Sequence, residues 1–173
     1  MKNSGLKIDL HVHTFFSNDA STTLEEVITY SRKRGLDGVA ITDHDTLKGA
    51  LKLTKEKRMI VIPGMEIGSL HGHVLALNIT NPIPPKLSLP ETVQKIHDSG
   101  GIAVAAHPSV IFKIGISKRA ASVSNLDAIE VINSAAFPFS LSTYLSRRLA
   151  EKLSLPQTAG SDAHHAAEIG MAY

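Results

Sequence analysis

Nearly every apolar run in this sequence that could form a strand stops on a histidine or an acid, and that pattern constrains the fold more than any other feature. Leu6, Ile8 and Leu10 alternate with polar neighbours and lead into His11-Val12-His13. Gly38 to Thr42 leads into Asp43-His44-Asp45, and Met59 to Ile62 ends at Pro63-Gly64 with Glu66 just beyond. Ile102 to Ala106 leads into His107, and Gln157 to Gly160 into Ser161-Asp162-Ala163-His164. Residues i and i+2 of a strand share a face and lie roughly 6.5–7 Å apart. His11 and His13 can therefore converge on one metal ion if carboxylates arrive from elsewhere. Singly, each polar stop has an ordinary explanation: Asp43-His44-Asp45 is good turn chemistry, Glu66 suits a solvated loop, and Asp162 with His164 suits a helix N-cap. Jointly those explanations fail, because unrelated surface residues have no reason to share one edge of one sheet.

Helical stretches lie between these runs. Thr22 or Thr23, each with a glutamate three residues on, opens a helix by a capping box, and Gly35 stops it. A second helix is expected from about Thr46 to Lys57, and a third from a capping box at Ser88 and Glu91 to Gly100-Gly101. Val74 to Ile79 and Ala128 to Asn133 read as further strands. Pro138 precedes a helix with Leu141, Leu145, Leu149 and Leu153 at i+4 spacing. This alternation predicts an α/β fold with largely parallel strands. Only about five residues separate the third and fourth strands, too few for a parallel crossover. A hairpin through Gly68 to Gly72 is expected there, and it brings His73 back beside Glu66.

At 173 residues the chain reads as a single domain, 1–173, short for an eight-fold barrel. No apolar run approaches the ~20 residues of a membrane span, and no signal peptide precedes the first strand, so a cytoplasmic location is expected. A formal charge of +2 is too small to indicate nucleic-acid binding by composition. The absence of cysteine excludes disulfides and thiolate ligands.

Sites in α/β folds gather at the carboxyl ends of parallel strands. That edge collects His11, His13, His44, Glu66, His73, His107, Asp162 and His164, and Asp19 can swing over it from the loop after the first strand. His71, His97 and His165 are set apart, His97 as a packing residue beside Val93 and Ile96. Imidazole and carboxylate donors suit zinc, manganese or iron. The set is too large for one ion and suffices for two or three divalent ions, with Glu66 as the bridging carboxylate. Two metals ~3.5–4 Å apart share a hydroxide, lower its pKa and clamp a phosphate for in-line attack. There is no cysteine nucleophile, no Gly-x-Ser-x-Gly and no Walker loop to compete with that chemistry.

The motifs Asp9-Leu10-His11-Val12-His13-Thr14, Ile41-Thr42-Asp43-His44-Asp45, Pro63-Gly64-Met65-Glu66, Ala106-His107-Pro108, Ile129-Glu130-Val131-Ile132 and Ser161-Asp162-Ala163-His164 together resemble the PHP family, named for its polymerase and histidinol phosphatase members. The resemblance implies a distorted seven-stranded, TIM-like (β/α)7 barrel that holds three metal ions, usually manganese, zinc or iron, and hydrolyses phosphate esters. It implies that His11, His13, Glu66 and Asp162 hold one ion, Glu66, His73 and His107 a second, and Asp19, His44 and His164 the third. Asp43 is then expected to orient His44, and Glu130 to be a supporting acid and not a ligand. Many phosphatase members carry an insertion around the His-Pro motif, whereas Ser109 to Asn125 here reads as a loop.

The expected function is metal-dependent hydrolysis of a small phosphorylated metabolite. Glu66, Asp162 and His164 are the expected catalytic groups, with a metal-bound water, Asp162 or a nearby histidine protonating the leaving oxygen. Lys113, Lys118 and Arg119 are candidates for gripping the phosphate. The alternative is a nucleotide phosphatase or an exonuclease acting on nucleic-acid ends. It ranks lower because an aromatic-lined basic channel is not expected from 5% aromatic residues and scattered charge. An amidohydrolase is discounted because Glu66 takes the place of its bridging lysine. A module in which metals serve only the fold remains the non-catalytic alternative.

Overall fold

The computed structural model describes residues 5–109, 116, 118–122 and 124–173. Seven strands pair in sequence order within one sheet: β1 (Ile8–Val12), β2 (Gly38–Ile41), β3 (Ile60–Ser69), β4 (Gly72–Leu77), β5 (Ile102–Ala105), β6 (Ala128–Asn133) and β7 (Gln157–Gly160). Pairing is parallel except around β4, which runs antiparallel to both β3 and β5. The sheet then curls until it meets itself just beyond its outer strands. Val12 bridges Ala163, the Asp162 N–H donates to the His11 carbonyl at 2.8 Å, and the His13 N–H donates to the Ala163 carbonyl at 2.9 Å. The outcome is a nearly closed seven-stranded α/β barrel.

Five α-helices lie among the described residues: α1 (Leu24–Lys33), α2 (Lys48–Leu53), α3 (Leu89–Asp98), α4 (Lys118–Ser122) and α5 (Phe139–Leu153). The strand period of two divides the core. Leu10, Ala40, Ile62, Leu75, Leu77, Val104, Ala106 and Ala128 come only from strands and their ends, so they fill the barrel. Val39, Ile41, Val74, Ala105 and Ile129 join a second cluster with Val27, Ile28, Ala50, Val93, Ile96 and Leu149 of the helices. The expected capping boxes open α1 and α3; at α1 the capping residue is Thr23, whose hydroxyl accepts the Glu26 N–H at 3.2 Å.

The expected hairpin is present, with Gly68 opposite His73 and Ser69 opposite Gly72. β3 differs from expectation, since it does not end at Pro63-Gly64. Residues 60–63 pair with β2 and residues 64–69 with β4, so the strand changes partner at the Pro-Gly step and Glu66 lies within it. Proline is tolerated where pairing is handed over. Gly64 is needed because a Cβ there would stand 2.7 Å from the Ala76 carbonyl oxygen. α2 is shorter than expected, starting at Lys48 without a side-chain cap. The stretch expected to be only a loop after Ser109 contains α4. On α5 the i+4 leucines advance about 40° per step around a 3.6-residue turn and so leave the buried face. Leu141 and Leu145 are 43% and 41% exposed, while Ser142, Ser146, Leu149 and Ala150 are buried. Among the described residues no helix is long and apolar enough to cross a membrane.

Candidate metal centre

Glu66 sits at the middle of the barrel mouth, its N–H held by the Thr42 and Asp43 carbonyls, both at 3.2 Å. Its carboxylate is fully buried and its two oxygens face different partners. Oε2 lies 3.1 Å from His11 Nε2, 3.2 Å from His13 Nε2 and 3.3 Å from His44 Nδ1. Oε1 lies 2.8 Å from His73 Nδ1 and 2.9 Å from His107 Nε2. The Asp162 Oδ1 comes within 3.3 Å of the Nε2 atoms of both His11 and His13. At the solvent edge Asp19 Oδ2 lies 3.4 Å from His44 Nε2 and 3.3 Å from His164 Nε2. Every residue put forward as a ligand from the sequence is thus at this one mouth. His44 stands between two groups, since its Nδ1 faces Glu66 and its Nε2 faces Asp19.

Neighbouring groups decide which nitrogen of each ring points inward. Glu130 Oε1 takes His11 Nδ1 at 2.9 Å, and its Oε2 accepts the His107 N–H at 2.7 Å and Asn133 Nδ2 at 3.0 Å. Ser17 Oγ faces His13 Nδ1 at 3.2 Å, and the Asp162 carbonyl faces His164 Nδ1 at 2.9 Å. His11 and His13 bring their Nε2 atoms within 3.0 Å of each other. That contact is repulsive unless a proton or a cation lies between them. Donor atoms ~2.0–2.2 Å from a common ion stand about 3.0–3.5 Å apart at the corners of an octahedron or tetrahedron. His11, His13, Glu66 and Asp162 present their atoms at that spacing, so the donor set and its geometry fit a divalent cation.

The electrostatics agree. Burial alone would lower the His11 pKa, yet the carboxylates of Asp162, Glu130 and Glu66 outweigh it and hold the ring well above its ordinary value. Burial would raise Glu66, but the His11 charge and hydrogen bonds from His107, His11 and His13 keep it well below the usual carboxylate range. His44 is pulled down by its own burial.

Asp43 does not orient the His44 ring. It accepts from Thr14 N–H at 2.6 Å and from Ser17 Oγ at 3.3 Å, and Ser17 Oγ in turn accepts the His44 backbone N–H at 2.9 Å. Glu130 is the supporting acid expected. Three groups escaped the sequence reading. Ser17 sits in a turn with no periodic signal. Asn133 donates to Asp162 Oδ2 at 3.2 Å and could have been found as one more polar stop on an apolar run. Asp9 accepts from Ser161 N–H at 2.9 Å and Gly170 N–H at 2.8 Å and so ties β1 to the end of the chain. His97 pairs with Asp127 at 2.8 Å, and His71 and His165 face Leu89 N–H and Ser21, away from the mouth. Lys113 lies outside the described residues, as do the side chains of Lys118 and Arg119, which open α4.

The model of the PHP domain matches residues 9–122, and a model described as PHP-associated matches residues 142–173. An uncharacterised protein of Methanocaldococcus jannaschii is 34% identical over 141 residues, which is 74% of this chain and 82% of that one. A phosphoribosyl 1,2-cyclic phosphate 1,2-diphosphodiesterase of Eggerthella lenta is 32% identical over 90 residues, 47% of this chain and 34% of its own length. Among solved structures, a protein of Bifidobacterium adolescentis provisionally named a metal-dependent phosphoesterase superposes with a TM-score of 0.76 at 20% identity, covering 94% of this chain and 89% of that one. The lesion-specific endonuclease Q of Pyrococcus furiosus superposes with a TM-score of 0.72 at 18% identity over 94% of this chain and 49% of its own.

Proposed function

This chain belongs to the PHP family of metal-dependent phosphoric ester hydrolases, and on that premise we propose that residues 1–173 form one domain that hydrolyses a small phosphorylated metabolite at a centre of two or three divalent ions. The observation that carries the proposal is the buried Glu66 carboxylate, whose oxygens face separate sets of imidazoles as a bridging ligand must. His11, His13, Glu66 and Asp162 would hold one ion, Glu66, His73 and His107 a second, and Asp19, His44 and His164 a third. Manganese, zinc or iron suits those donors. Bound there, such ions polarise a phosphoryl oxygen and make water a competent nucleophile near neutral pH.

The protein's own groups do the rest. Buried Glu66, His11 and His13 form a dry floor, while His44, His73 and His164, with side chains 29%, 30% and 22% exposed, leave the outer side open to an ester. Asp162, to which Asn133 donates, would carry the proton released by the attacking water to the oxygen of the departing alcohol. The His164 ring is pinned through Nδ1 and presents Nε2 to the ester side. Lys113, Lys118 and Arg119 would grip the phosphate from the segment after His107. The products are an alcohol and inorganic phosphate.

The test is hydrolysis of an aryl phosphate with added manganese, together with elemental analysis of the purified protein. Two to three equivalents of metal are expected, with activity abolished by chelator and in His11→Ala. A rate indifferent to chelator would overturn the reading. The resemblance in fold to an endonuclease favours one second reading, action on nucleic acid. Release of phosphate from a mononucleotide, with a short oligonucleotide left uncut, would exclude it.

A further inference from the structure

One polar void sits outside the proposed ligand set. It lies between α5 and the back of His107, is lined by His107, Glu130, Asn133, Ser142, Thr143 and Ser146 among others, and has no room for the centre of a water molecule. Three buried polar atoms of its lining have no hydrogen-bond partner among the described residues: His107 Nδ1, Ser142 Oγ and Thr143 Oγ1. His107 and Ser142 are 2% and 3% exposed. Buried polar atoms are ordinarily paired, and helical serines and threonines ordinarily turn back onto a carbonyl of the preceding turn. Neither hydroxyl does so. Because there is no room for a water molecule among them, these groups can be satisfied only by protein atoms. Apolar residues at 142 and 146 would make an ordinary buried helix face, so hydroxyls there call for an explanation. His107 itself is held at φ +28°, a conformation a histidine keeps only where its surroundings impose it.

We infer that Ser142 and Thr143 are positioning residues for His107, accepting the hydrogen bond of its Nδ1–H when Nε2 binds a cation. The inference rests on the proposed metal centre. In the structure Nε2 stands 2.9 Å from Glu66 Oε1, and a proton on Nε2 satisfies that contact and leaves Nδ1 bare. Ligation through Nε2 requires its lone pair and moves the ring proton to Nδ1, where it needs an acceptor. A rotation of the Ser142 or Thr143 hydroxyl about χ1 is the local adjustment that supplies one. His107 would then have a partner for its other nitrogen, as His11, His13 and His164 do and as metal-bound imidazoles generally do. α5, inside the segment matched by the PHP-associated model, thereby becomes part of the support of the ion site.

The test uses the zinc-loaded full chain. Long-range 1H–15N spectra report the tautomer of His107, and competition with a chromogenic chelator reports zinc affinity. Wild type is expected to show the Nδ1–H tautomer. The Ser142→Ala/Thr143→Val double variant is expected to lose that preference and bind its weakest ion about 10–100-fold less tightly. Restoring one hydroxyl, as Ser142→Ala/Thr143→Ser, should recover both readouts in part. Ser146→Ala, which enlarges the same void, should match wild type and so controls for lost packing. If the double variant is unstable, Ser142→Ala and Thr143→Val singly should each give part of the loss. A folded double variant with wild-type affinity and tautomer overturns the inference alone. A wild-type protein that binds no zinc overturns the metal centre and the inference with it.

Discussion

Glu130 shows how one residue governs a site it does not enter. All of its partners are donors: His11 Nδ1 at one oxygen, the His107 N–H and Asn133 Nδ2 at the other. A glutamine must turn its amide nitrogen toward one of those donors, so Glu130→Gln loses a contact it cannot replace. We expect a 10–100-fold drop in metal affinity with the fold intact, read by chelator competition and circular dichroism. Glu66→Ala should go further and remove both the aryl phosphatase activity and at least one equivalent of bound metal. Acids and histidines at strand ends were legible in the sequence because chemistry restricts them to few roles. Ser17 and Asn133 were not, since serine and asparagine at such places are more often turn formers.

At the level of elements, the hairpin between β3 and β4 could be read from the sequence because chain length forbids any other connection. The length of β3 could not. A Pro-Gly step ordinarily ends a strand, and only the change of partner from β2 to β4 keeps this one going. β7 has an equally narrow requirement. A Cβ at Gly160 would collide with His11 Cβ and come within 2.8 Å of Glu130 Oε1. Gly160→Ala is therefore expected to destabilise by about 1–3 kcal/mol and to weaken metal binding by displacing His11, in a paired denaturation and chelator titration. Thr23→Ala should cost about 1 kcal/mol by removing the α1 cap. The Glu26 carboxyl lies below its ordinary value because the N–H and hydroxyl of Thr23 donate to it. A depressed carboxylate stabilises above its unfolded pKa, and that gain is lost as pH falls through the folded value. The melting-temperature gap between wild type and Glu26→Gln should accordingly close in acid.

Across the whole molecule, a mouth that gathers His11, His13, Glu66 and Asp162 with no apolar filler is held together more firmly when cations occupy it. An ion at 100 times its dissociation constant adds about 2.7 kcal/mol, equivalent to a rise of about 5–10 °C in Tm for a chain of this size. Thermal melts with zinc or manganese and with chelator should differ by at least that amount. The seam between β1 and the segment after β7 has a further consequence. The bonds that close it, Asp162 to the His11 carbonyl and His13 to the Ala163 carbonyl, belong to residues that also form the mouth. Residues 11–13 and 162–164 lie far apart in the sequence, so the cradle is finished only when these two segments find each other. A chain lacking residues 160–164 would keep most of its imidazoles and lose the seam that gathers them.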